Sequence, residues 1–350
     1  MRAITVRPGQ AGSVRLDDLP EPPAGEGTLL VEALAVGVCG TDLEIVQGLY
    51  GAAPPGHQRL VLGHESLGRV LEAAGPADGG PGPGDLVVGI VRRPDPEPCV
   101  SCAAGEWDMC RNGRYTEHGI KQLDGFARER YRLDPRFAVP VAADLERTGV
   151  LLEPASVVAK AWEHIERIAA RMVWRPQTVL VTGAGPIGLL AALLAVQRGL
   201  EVHVLDRVEA GPKPGLVAAL GATYHTGTLA EAGPQPDVIV ECTGAGRLVL
   251  EAMTKTAPDG IVCLTGVSSA GRRLQIDPGA LNRELVLEND VVFGTVNANR
   301  RHYEAAGAAL AKADPAWLER LVSRRVPVGS FADAYTRQPD DVKVVLDFAH

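Results

Sequence analysis

A thiol, an imidazole and a carboxylate, those of Cys39, His64 and Glu65, stand on two short glycine-flanked turns, residues 37–42 (GVCGTD) and 63–65 (GHE). Sulfur, nitrogen and oxygen together make a ligand set that suits zinc better than magnesium or calcium. Glycine on both sides of Cys39 lets the backbone turn tightly and present the sulfur. Thr41, two residues further on, puts a hydroxyl where it can pass a proton to or from a substrate oxygen. Taken singly, these are an ordinary buried thiol and a satisfied core histidine. The two turns together, followed by a nucleotide fingerprint downstream, read as a catalytic metal site.

A second metal-like element is Cys99-x-x-Cys102, with Cys110 after seven intervening residues. A four-cysteine zinc lobe of this spacing would place its first ligand at residue 96, which is Pro96. Either Asp95 or Glu97 supplies the missing ligand, or the lobe has lost its metal and keeps three cysteines as packing, since structural zinc sites are nearly always four-coordinate. Cys242 and Cys263 lie in apolar runs and read as packing residues.

Further on, residues 178–181 form a buried parallel strand, Gly183-Ala184-Gly185-Pro186-Ile187-Gly188 follows without a gap, and residues 189–198 continue as helix. In that strand-turn-helix context the glycines allow a tight turn, close approach to a pyrophosphate and helix-on-strand packing. Strand 202–205 ends in Asp206, where a carboxylate accepts both hydroxyls of an adenosine ribose and favours NAD. Arg207 follows and leaves NADP open. Strands at 237–241 and 261–264 lead into Thr243-Gly244 and Thr265-Gly266, whose threonines join the cofactor set, and alternate with helices in a doubly wound sheet.

The elements that position the metal ligands lie mostly in the first third of the chain. Short runs at 3–6, 14–16, 28–36, 67–73 and 86–90 are cut by Gly and Pro and predict a compact antiparallel barrel. Residues 73–84 (AAGPADGGPGPG) read as a surface loop, and 126–133 as a strand returning to the barrel. Residues 155–170 repeat apolar side chains at helical spacing, with Pro154 in the first turn and Glu153 just outside it. A carboxylate there is either a helix-dipole partner or a metal ligand aimed from the helix end. The final stretch reads as a helix-strand tail that folds back onto the first lobe.

At 350 residues the chain calls for two lobes. Its 46 % apolar and 22 % charged residues are those of a globular protein. A net charge of -8 argues against nucleic acid or an anionic membrane as partner, and against a DNA-binding reading of the cysteine lobe. No apolar run approaches the roughly 20 residues of a membrane helix, and the first residues read as a strand, so a cytoplasmic location is expected.

These motifs resemble the zinc-dependent medium-chain dehydrogenase/reductase family across nearly the whole chain. Residues 115–117, 107–110 and 296–302 are similar to its glucose 1-dehydrogenase branch. The resemblance implies a GroES-like β-barrel catalytic domain (1–154 and 298–350), an inserted Rossmann domain (155–297) and an active site in the cleft. It implies Cys39, His64 and Glu153 as catalytic zinc ligands, with Glu65 able to approach or replace one of them. Thr41 becomes the relay from alkoxide to nicotinamide ribose, and Glu44 the solvent end of that relay. Glu117 and Asn297 match positions that bind ring hydroxyls; His302 belongs to the same motif or is a helix-surface residue. Ala159, Val91 and Val157 depart from the branch at places where other members carry hydrogen-bonding groups, and Asp206 departs from the residue pair that accompanies NADP.

The implied activity is NAD(P)-linked oxidation of a sugar, polyol or related secondary alcohol by a homodimer or homotetramer. A cyclitol or secondary-metabolite alcohol dehydrogenase would use the same site with another pocket. A zinc-free quinone or enoyl reductase would not need the three ligands, and a non-catalytic dinucleotide binder would not need the metal at all. A zinc count per chain tests the cysteine lobe: about two ions means that it is metallated, about one that it is not.

Overall fold

A computed structural model describes residues 1–74, 80–268 and 273–349. The chain divides into two compact units, Met1–Ser156 with Asn297–His350, and Val157–Val296. Among the described residues no helix is long and apolar enough to cross a membrane.

Strand Leu29–Val38 organises the first unit. Its burial largely alternates along its length, as it must when one face meets the core. It pairs antiparallel along one edge with Glu65–Ala73. Its other edge is shared by Arg130–Leu133 near the start and Val344–Asp347 near the end. Leu86–Gly89, Ala138–Val141 and Arg324–Pro327 complete a seven-stranded sheet. Smaller sheets are formed by Arg15–Asp18, Arg2–Val6 and Leu60–Val61, and by Arg92–Arg93, Thr116–His118 and Gln122–Leu123. They enclose one core, in which Ile4, Val31, Leu62, Phe126, Tyr131 and Leu346 are almost wholly buried.

Three expectations shift. The strand expected over 126–133 is regular only from Arg130. Ahead of it, Gly125, Phe126 and Ala127 donate their N–H groups to the carbonyls of Val61, Gly63 and Leu62, and so clamp the turn that carries His64. The long helix runs Leu152–Ala169, because the 3-10 turn Gly149–Leu151 feeds straight into it; Glu153 therefore lies inside the first turn. Of the loop expected over 73–84, residue 73 ends the strand Glu65–Ala73, and 75–79 lie outside the described residues.

The second unit is a six-stranded parallel sheet in the order Thr223–His225, Glu201–Leu205, Thr178–Thr182, Val238–Glu241, Ile261–Leu264, Val291–Gly294. The reversal of direction at Thr178–Thr182 is the switch point at which doubly wound sheets bind nucleotides. Gly183 turns with φ +92°, and a Cβ on Gly188 would overlap the Gly183 carbonyl oxygen. That obstacle is backbone, which cannot rotate aside. Gly188→Ala is expected to destabilise this unit by about 1–3 kcal/mol, read as a lowered thermal midpoint; an unchanged midpoint would mean that the turn yields.

Candidate active site

Cys39 is the N-cap of helix Gly40–Val46, with extended backbone at φ −124°. Its sulfur accepts from the Thr41 N–H at 3.3 Å, and its own N–H donates to Asp42 Oδ2 at 3.0 Å. The other oxygen of Asp42 lies 3.4 Å from His64 Nδ1, and His64 Nε2 lies 3.0 Å from the Cys39 sulfur. A carboxylate thus holds both the cysteine turn and the far side of the imidazole, the outer-shell arrangement typical of metal-binding histidines. Burial opposes charge on both groups, but the neighbours prevail: Cys39 and Asp42 hold His64 well above its usual range, and His64 with the Cys39 N–H holds Asp42 below its own. Gly63 at φ +87° supplies the left-handed turn that delivers His64.

Glu65, next along the strand, is almost fully buried and forms an ion pair with Lys343, equally buried on the C-terminal tail. Lys343 Nζ also donates to the Val38 carbonyl at 3.1 Å. Burial lowers an ammonium pKa, yet the charges of Glu65 and Cys39 hold this one above its usual range. Gly37 lies opposite Glu65 in the ladder, and a Cβ there would strike the Glu65 carboxylate and the lysine chain. The sulfur, imidazole nitrogen and carboxylate oxygen of Cys39, His64 and Glu65 all lie within 4.8 Å of one another. That donor chemistry fits zinc. Glu153 is outside this set but faces it. Burial, reinforced by the Glu65 charge and offset by His64 and Lys343, pushes its carboxyl up to about 7. Thr41 sits half-buried on the first turn after Cys39. Glu44, on the same helix, is half-buried and adds its charge to the field around Tyr50.

A second cluster forms around Glu117. Asn297 Nδ2 donates to Glu117 Oε1 at 2.8 Å, joining residues 180 positions apart. Asn297 holds φ +62°, a left-handed conformation that asparagine tolerates better than most residues. His302 is buried at the third position of helix Arg300–Leu310, where its Nδ1 accepts from the Asn299 N–H at 3.0 Å; it is a capping residue and not a surface one.

In the cysteine lobe, the sulfurs of Cys99, Cys102 and Cys110 also lie within 4.8 Å of one another. The N–H groups of Arg111 and Cys102 draw the Cys99 thiol down to about 6, while burial raises Cys102 to about 11. Neither expected fourth ligand joins the three. Asp95 accepts from Glu97 N–H, Asn112 and Arg114, and Glu97 pairs with Arg114 at 2.9 Å. Cys263 is buried as packing, and Cys242 partly so.

In the second unit, Asp206 closes strand Glu201–Leu205 and is already engaged. Its Oδ2 accepts from Ala184 N–H at 2.7 Å and Lys213 Nζ at 2.9 Å, and its Oδ1 from Val208 N–H at 3.0 Å. Arg207 is exposed. Gly185 caps helix Pro186–Val196, with Pro186 and Ile187 in its first turn. Thr243 and Thr265 hydroxyls both turn to Glu241: the first donates to its carboxylate, the second to its carbonyl at 2.8 Å.

Several residues at these sites lacked a role in the sequence reading. Asp42 stands at the third helical position after a cap, a spacing that signals a capping box. Lys343 interrupts a buried apolar run, where a lysine is kept only with a partner. Arg92 is a buried charge whose carboxylate partner lies 25 residues on, and Glu241 is a buried carboxylate that accepts both from the turn just after it and from Thr182, 59 residues before it.

A doubly wound dinucleotide unit and a zinc-type donor cluster in one chain define a metal-assisted dehydrogenase of the medium-chain class. Residues 25–143 match the family described as alcohol dehydrogenase GroES-like domain, and residues 146–348 the one described as glucose dehydrogenase C-terminus. Glucose 1-dehydrogenases of Methanocella arvoryzae and Thermoproteus tenax are each 40 % identical to the chain, with 99 % of both chains covered. The structure of Haloferax mediterranei glucose dehydrogenase in complex with NADP, Zn and gluconolactone superimposes with a TM-score of 0.91 at 33 % identity, covering all of both chains. The chain belongs to the zinc-dependent medium-chain dehydrogenase/reductase family, in its glucose dehydrogenase branch, and is an NAD(P)-dependent oxidoreductase.

Lys343→Met would leave the Glu65 carboxylate buried without its counter-charge, an expected loss of about 3–5 kcal/mol. Unfolding midpoints of the metal-free protein should fall, and adding Glu65→Gln should recover most of the loss. Equal midpoints for wild type and Lys343→Met would show that the pair does not hold the tail.

Proposed function

We propose that the protein oxidises glucose, or a closely related aldose, to its lactone with NAD as the preferred acceptor and NADP tolerated. The observation that carries this reading is the hydrogen bond joining Glu117 to Asn297: it sets a carboxylate and an amide together, the pairing that suits ring hydroxyls. Cys39 and His64 would hold the metal, with Glu65, which completes their donor cluster, and Glu153, the ligand that family likeness implies, as the carboxylates available to it. Zinc bound there supplies Lewis acidity that lowers the pKa of a substrate hydroxyl.

The chain's own groups do the rest. Glu117 and Asn297 orient the ring. The Thr41 hydroxyl relays the proton, accepting it from the reacting oxygen as it passes its own onward, with Glu44 at the solvent end of that path where the proton is released. The C–H electron pair leaves as hydride to the nicotinamide, so one aldose and one oxidised dinucleotide yield one lactone, one reduced dinucleotide and one proton. Asp42 keeps His64 oriented, and Lys343 offsets one of the carboxylate charges around the cluster. Gly183, Gly185 and Gly188 would cradle the pyrophosphate; Asp206 would face the adenosine ribose, with its charge partly offset by Lys213. Thr243 and Thr265 would line the strand ends near the cofactor. A homodimer or homotetramer in the cytoplasm is the setting that the family suggests.

The test is reduced-dinucleotide formation with glucose, xylose and inositols as substrates. Glucose should have the highest kcat/KM, and chelation of zinc or Cys39→Ser should lower turnover by about 10³-fold or more while dinucleotide binding persists. Inositols preferred over aldoses would move the assignment to cyclitols, and full turnover by metal-free Cys39→Ser would remove the metal from the mechanism.

A further inference from the structure

We infer that Arg92 is the positioning residue of the sugar site, acting through Glu117; the inference rests on the assignment of Glu117 and Asn297 to ring hydroxyls. Arg92 and Glu117 are both buried and sit directly opposite each other in the pairing of Arg92–Arg93 with Thr116–His118. Arg92 Nε and Nη2 both donate to Glu117 Oε1, at 3.1 and 2.9 Å, and Asn297 adds a third donor to the same oxygen at 2.8 Å. One oxygen is saturated. Oε2 receives no donor from the described residues, so it is the oxygen left to accept from a hydroxyl.

The guanidinium is itself fixed on its other sides. Nη1 donates to the Asp108 carbonyl at 2.9 Å, and the plane lies 3.7 Å from the centre of the Tyr115 ring. Lys121 lies 4.0 Å from the same ring centre. Asp108 also accepts from Asn299 Nδ2 at 3.1 Å, two residues beyond Asn297. One loop of the cysteine lobe therefore braces both halves of the hydroxyl-binding pair, the Arg92–Glu117 half directly and the Asn297 half through Asn299. A planar fork that makes two bonds to one carboxylate, a third to a carbonyl and a stacking contact is work that a lysine ammonium cannot reproduce.

The experiment is steady-state kinetics of the zinc-loaded enzyme with varied glucose and saturating dinucleotide, for Arg92→Lys, Arg92→Gln, Glu117→Gln, Asn297→Ala and the double variant Arg92→Lys/Glu117→Gln. Arg92→Lys should raise the KM for glucose about tenfold with kcat within about twofold and the dinucleotide KM unchanged. Because Arg92 acts through Glu117, the double variant should show no higher KM than Glu117→Gln alone. A purely structural role would lower the active fraction, and hence kcat, and would not abolish the effect of Arg92→Lys in the Glu117→Gln background. If Arg92→Gln does not fold, Arg92→Lys and the double variant still decide. The inference is overturned by an unchanged KM in Arg92→Lys, or by additive effects in the double variant. If Glu117→Gln and Asn297→Ala themselves leave KM untouched, the sugar-site assignment fails and the inference fails with it; if they raise KM and Arg92→Lys does not, only the inference falls.

Discussion

The donor cluster of Cys39, His64 and Glu65 depends on one buried pair of opposite charges, Glu65 and Lys343. Bringing both out of water is costly, and the attraction between them offsets that cost only while they remain in contact. The contact exists because the tail strand Val344–Asp347 pairs with the end of Leu29–Val38, whose other edge already holds Glu65–Ala73. Three strands in register place a lysine from residue 343 beside a glutamate from residue 65, and Gly37 leaves the space through which they meet. From that point Cys39 and His64 follow: one caps the helix after the strand, the other precedes Glu65 on its turn.

The electrostatics of the cluster are those of a site prepared for a cation. The carboxyl groups of Asp42, Glu65 and Glu153 surround His64 and Cys39, with Lys343 and His64 supplying the opposing charge. Glu153 is pushed up to about 7 mainly by burial, with the Glu65 charge adding to that and His64 and Lys343 opposing it. A divalent ion bound there would favour the charged form of that carboxyl. In the dinucleotide unit the balance is local: Asp206 accepts from a glycine-turn N–H and from Lys213, so much of its charge is already compensated.

Local pattern was enough to find what local geometry builds. The Gly183–Gly188 turn, the parallel strands and the Cys39 and His64 turns are each encoded within a few residues, and the fold places them in the expected elements. Pairings across the chain were less visible. Glu117 and Asn297 could be named only through family likeness, and their direct bond is a product of tertiary structure. Lys343, Arg92 and Glu241 escaped because a buried charge is explained by its partner, and their partners lie 278, 25 and 2 to 59 residues away respectively. The choice left open at the cysteine lobe turns on the same kind of pairing: Asp95 and Glu97 are close in sequence to Cys99, but Arg114 engages both of them and Asn112 donates to Asp95.

The discontinuity of the first unit has a temporal corollary. Synthesis runs from the N-terminus, so the cysteine, the histidine and the glutamate of the cluster emerge from the ribosome long before the tail that neutralises Glu65. A nascent chain that ends before residue 343 carries that carboxylate with no ammonium to meet it, and the edge of Leu29–Val38 that Val344–Asp347 will occupy stays open. The surroundings of Glu65 are thereby completed only once residues 343–347 have joined the fold.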